Sequence, residues 1–133
     1  MNEELIKFDT ALLAKEKGIV DIGAASNCWV KTLDGDIIHN SERRNCIEHD
    51  RCELYIMQPS QSLLQRYLRE KHNIHIEILS YHCLKEEKPY GIAIEYKSSI
   101  TNNWGYAEFD GESDFETYEN ALEKALIEGL KLI

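Results

Sequence analysis

Proline and glycine are scarce in this 133-residue chain, two and seven respectively, which argues against long disordered linkers or low-complexity segments. No internal repeat is visible. The apolar runs are only a few residues long, far short of the roughly 20 needed to span a bilayer. The opening Met1-Asn2-Glu3-Glu4 carries no basic stretch of the kind that begins a secretory signal. A cytoplasmic protein without a membrane partner is therefore expected. Positive charge is also in deficit: 15 lysines and arginines face 24 aspartates and glutamates, for a net charge of −9. Such a balance favours solubility and opposes attraction to nucleic acid, so no nucleic-acid partner is expected. The motifs of the common enzyme classes are missing as well. There is no glycine-rich phosphate loop, no nucleophile elbow, no paired-histidine zinc helix, and no carboxylate pair whose spacing implies acid–base work. A cysteine–histidine pair formed in space, such as Cys83 with His82 or His75, is the residual catalytic option. The chain is read as a non-enzyme.

Four cysteines (Cys28, Cys46, Cys52 and Cys83) without a secretory signal read as reduced thiols rather than a disulfide framework, with Cys83 placed in the core. The closest approach to a metal site is His39, Cys46, His49 and Cys52, four ligands that suit zinc within 14 residues. A structural zinc site usually joins two separated ligand pairs, and no second pair is evident, so an exposed polar loop is the stronger reading and zinc the alternative. No other cofactor is implied. The alternating carboxylates Asp110, Glu112, Asp114 and Glu116 resemble the opening of a calcium loop. However, Phe115 stands where the loop needs glycine and Ala121 where it needs a bidentate glutamate, which excludes an EF-hand. Together with Glu108 and Glu119 they form a band of six carboxylates without lysine or arginine, read as a solvated approach to a helix and, alternatively, as a contact for a basic partner or a mimic of nucleic acid.

Hydrophobic periodicity supplies the architecture. Leu5, Phe8, Ala11 and Leu12 predict a first helix over roughly Asn2 to Lys17. Cys28 to Leu33 and Asp36 to His39 flank an Asp34-Gly35 turn, and Cys52 to Met57 suggests a further strand. Asn40 to Arg51 is polar and reads as a loop. After Pro59, Ser60 or Ser62 can cap a helix with an apolar stripe of Leu63, Leu64, Tyr67 and Leu68, closed by Asn73. Ile74, Ile76 and Ile78 then alternate with His75 and Glu77, and Tyr90, Ile92, Ile94 and Tyr96 repeat the pattern. Asn102-Asn103 offers a turn into a third strand, Trp104 to Phe109. Thr117 caps a last helix with Tyr118, Ala121, Leu122, Ala125, Leu126 and Ile133 on one face.

These elements predict an α+β fold: an antiparallel sheet of three to five strands covered on one face by helices, in the order α-β-(β)-β-α-β-β-β-α, as a single domain over residues 1–133. From Ser60 onward the order is that of double-stranded RNA-binding domains. The residues contradict that function, since those domains open their last helix with lysines and this one is preceded by Asp110, Glu112, Asp114 and Glu116. The segment Pro59 to Ile78 and the helix Phe115 to Ile133 resemble small phage- and prophage-encoded proteins of no established activity. That resemblance covers about 40 residues, mostly core and capping positions, and implies a fold and a mobile-element origin without assigning site residues. The expected role is that of an accessory protein acting through protein–protein contacts, homo-oligomerisation included; the alternatives are a small zinc-binding domain using the His39–Cys52 loop and an enzyme or small-molecule binder whose site forms only in the fold. Trp104, Tyr106, Asp110, Glu112 and Asp114 are the candidate binding residues; whether the two aromatics face outward depends on strand register.

Overall fold

Ser60 and Asn73 set the limits of the central helix. The Ser60 hydroxyl accepts a hydrogen bond from the Leu63 amide at 3.2 Å, and Asn73 takes a left-handed conformation, φ 54°, immediately after His72. The structure is a computed structural model that describes residues 4–19, 27–32, 37–40, 52–81, 87–108 and 114–133. The elements are α1 (Phe8–Glu16), β1 (Asn27–Thr32), β2 (Ile37–Asn40), β3 (Cys52–Gln58), α2 (Gln61–His72), β4 (Ile74–Ser80), β5 (Tyr90–Lys97), β6 (Trp104–Tyr106), β7 (Asp114–Phe115) and α3 (Tyr118–Leu130). The fold is α+β in the expected order, with one short strand added before the last helix. No helix among the described residues is long and apolar enough to cross a membrane.

The chain divides into two compact units, Met1–Leu63 and Leu64–Ile133. In the first, β1 is the centre of an antiparallel three-stranded sheet ordered β2-β1-β3. Here the predicted first helix needs correction, because it starts only at Phe8. Residues 4–6 are extended beside the end of β3: the Ile6 amide donates to the Pro59 carbonyl at 3.1 Å, the Gln61 amide to the Glu4 carbonyl at 2.8 Å, and the Gln58 side-chain amide to the Ile6 carbonyl at 2.9 Å. These non-local bonds, with Ile6 buried, outweigh the helical spacing of Leu5 and Phe8.

In the second unit β5 lies between β4 on one side and β6 and β7 on the other, all antiparallel. Helix α3 packs against β4 and β5, and the Thr117 hydroxyl caps it by accepting from the Asn120 amide at 3.1 Å. Its buried stripe is Ala121, Leu122, Ala125, Leu126 and Leu130, which meets the buried faces of Ile74, Ile76, Ile92 and Ile94. Tyr118 and Ile133, assigned to that stripe from spacing, are instead exposed, the first at the opening residue of α3 and the second three residues past its end. Tyr118 sets its ring edge-on to Tyr90, centroids 6.2 Å apart.

Glu128 is an unusual member of α3, a nearly buried carboxylate in the last turn, where the helix dipole disfavours negative charge. Lys124 and Lys131 compensate, with Nζ to Oε1 distances of 2.7 and 3.2 Å. Burial alone would raise this carboxyl, but the hydrogen bonds and charges of the two lysines outweigh it and hold the group below its ordinary value. Stability from this cluster is therefore complete above the pH at which an unfolded glutamate ionises, and is lost as pH falls through the lower native value. Glu128→Gln is expected to cost about 1 kcal/mol near neutral pH, a difference that shrinks in acid. Urea unfolding at a series of pH values reads it directly; a pH-independent difference would remove the ion pairs as its cause.

Candidate functional site

The β4–β5 ladder has two faces, and register determines what each carries. Ile74, Ile76 and Ile78 stand opposite Tyr96, Ile94 and Ile92 on the helix-covered face. The intervening residues make the other face: His75 is opposite Glu95, Glu77 opposite Ala93, and Leu79 opposite Gly91. On the far side of β5, Trp104 pairs with Lys97, Tyr106 with Glu95 and Asp114 with Gly91, so all three join that second face. Trp104 is 46% and Tyr106 72% exposed. The Trp104 ring reaches back across β5 to meet His75 edge-on, centroids 5.1 Å apart.

The turn before β6 fixes this register. Ser98 and Asn103 are joined by an amide-to-carbonyl bond of 2.9 Å, and the Asn102 amide donates to the Ser98 carbonyl at 2.8 Å. The Ser98 hydroxyl also accepts from the amides of Ile100 and Thr101 at 3.2 and 3.3 Å. Asn102 supplies the left-handed residue the turn needs, φ 59°. Beyond β6 the Ala107 amide donates to the Ile94 carbonyl at 2.8 Å, so Tyr106 is held from both ends.

Between the rows lies a shallow cleft of about 300 Å³ lined by His75, Ile76, Glu77, Ala93, Glu95 and Tyr106. Ala93 makes the depression, since its methyl group is flanked by the longer side chains of Glu77 and Glu95. The face thus offers carboxylate acceptors, an imidazole and two open aromatic rings, the materials of a binding surface. A second cleft of about 290 Å³ lies at the end of the sheet beside His72, Ile74, Lys97, Ile100 and Leu132.

Of the candidate binding residues, Trp104, Tyr106 and Asp114 therefore share one sheet face, while Asp110 and Glu112 lie outside the described residues. Asp114 is not merely part of a solvated approach to the last helix: with Phe115 it forms β7. The cysteine–histidine set is only partly placed. His39 pairs with Trp29 on one side of β1 and Cys52 with Thr32 on the other, while Cys46 and His49 lie outside the described residues. His39 and Cys52 thus stand on opposite outer strands of the three-stranded sheet, β2 and β3. His82 and Cys83 also lie outside the described residues. Sequence reasoning missed that His75, Glu77 and Glu95 share one sheet face with Trp104 and Tyr106; the period-two alternation placed the first two off the core face, but only β-pairing sets them beside Glu95. No protein-family model, curated protein or solved structure matches this chain.

Proposed function

We propose that this is a non-enzymatic accessory protein of the phage and prophage type, working by protein–protein contact through the exposed face of the β4-β5-β6 sheet. The observation that carries the reading is the pair Trp104 and Tyr106, both open to solvent on one strand whose register is fixed by a tightly bonded turn. Trp and Tyr are the side chains that most often dominate binding energy at protein interfaces, because each buries a large rigid surface at little entropic cost. A rigid sheet also presents them without an ordering penalty at the moment of binding.

The test is capture from bacterial lysate by the tagged chain, with nuclease treatment, against the double variant Trp104→Ala/Tyr106→Ala. The wild-type protein is expected to retain a stoichiometric, nuclease-resistant protein partner, and the variant to lose it by about 100-fold or more in affinity. Both residues are exposed, so circular dichroism melts of the two proteins are expected to coincide. Sedimentation of the purified chain distinguishes self-association from a separate partner. A wild-type blank, with the chain monomeric, overturns the reading.

A further inference from the structure

We infer that the partner presents a basic segment, and that an arginine or lysine side chain enters the cleft between Glu77, Glu95 and Tyr106. This rests on the protein-contact reading above and names the chemistry of its partner. Glu77 and Glu95 sit on adjacent strands at neighbouring rows, diagonally across Ala93, and neither takes part in a side-chain hydrogen bond or ion pair with a described residue. Their charge at the cleft is thus uncompensated from within the described fold. Among the described residues, the lysine on this face, Lys97, stands a row away opposite Trp104 and lines the other cleft. Asp114 adds a third carboxylate at the far end of the same face.

Shape selects among cations. The cleft is at the small end of ligand sites, room for the head of one side chain rather than a whole folded ligand. Tyr106, directly opposite Glu95, supplies an aromatic wall beside the carboxylates, and a guanidinium or ammonium between them gains from both the ring face and the charges. Trp104 and His75, already in contact edge-on, extend the aromatic surface along which the flanking residues of such a segment would lie. The net charge of −9 acts in the same direction, repelling acidic partners and steering basic ones toward the surface.

The experiment is an NMR titration of the ¹⁵N-labelled chain with a short arginine-containing peptide, an equally long glutamate-containing one, and tetramethylammonium. Saturable shifts are expected for the arginine peptide at the amides of Glu77, Ala93, Glu95 and Tyr106. Affinity is expected to fall about tenfold in Glu77→Gln/Glu95→Gln and to weaken with salt. The glutamate peptide is expected to leave the spectrum unchanged. Non-saturating shifts spread over all acidic residues, or tighter binding of tetramethylammonium than of the peptide, would overturn the inference. The two readings fail separately. If capture of the lysate partner depends on Trp104 and Tyr106 but survives Glu77→Gln/Glu95→Gln, protein contact stands and the basic partner falls.

Discussion

Leu126→Ala is expected to remove about 2–5 kcal/mol of stability, a large share of the 5–15 kcal/mol typical of a folded domain. Leu126 has 0% of its surface exposed and lies in the stripe of α3 that packs on β4 and β5. Truncation removes three carbons from contact and leaves a cavity that a helix pinned by the Thr117 cap cannot easily close. Leu132, two residues beyond the end of the same helix, is the matched control: it is partly exposed, and its replacement by alanine is expected to cost less than about 1 kcal/mol. Urea unfolding followed by circular dichroism measures both. Equal losses would mean that the α3 stripe does not form the core of this unit.

The parts of the fold that were legible in the sequence are those determined by neighbours along the chain. The Ser60 and Thr117 caps, the left-handed Asn73 and the alternation of Ile74, Ile76 and Ile78 all follow from local chemistry, and each stands where its residue type demands. What could not be read is determined by partners far away in sequence. Leu5 has helical spacing to Phe8, yet it pairs as a bridge with Ser60 because extended backbone is available there to bond. Asp114–Phe115 looks like polar approach to a helix and becomes a strand only because Tyr90 and Gly91 leave an edge open beside it. Tyr118 and Ile133 have the right period for the buried stripe, but Tyr118 is the first residue of the helix, set edge-on to the Tyr90 ring, and Ile133 lies three residues past Leu130, where the helix has ended. The candidate site has the same history. The side chains of Trp104 and Tyr106 face away from the helices only because the turn at residues 98–103 pairs Trp104 with Lys97; a slip of one residue would have turned both toward the core.

Gly129 faces Leu68, Ile74 and Ile76 from the last turn of α3, and it separates two substitutions that differ only in size. A Cβ built there would stand 3.4 Å from Ile74 Cγ2, from Ile76 Cδ1 and from Leu68 Cδ1, within ordinary contact of all three. Alanine therefore fits, and since glycine costs a helix about 1 kcal/mol relative to alanine, Gly129→Ala is expected to stabilise the protein by up to that amount, less because the position is in the last turn. Leucine at the same position would drive three further carbons into space already held by Leu68, Ile74 and Ile76, none of which can retreat from a packed core. Gly129→Leu is expected to cost about 1–3 kcal/mol, with α3 displaced from β4. The two variants should thus shift the urea midpoint in opposite directions. Loss of stability in Gly129→Ala would mean that the helix lies closer to β4 than a 3.4 Å Cβ contact allows, whereas a neutral Gly129→Leu would mean that it does not pack there at all.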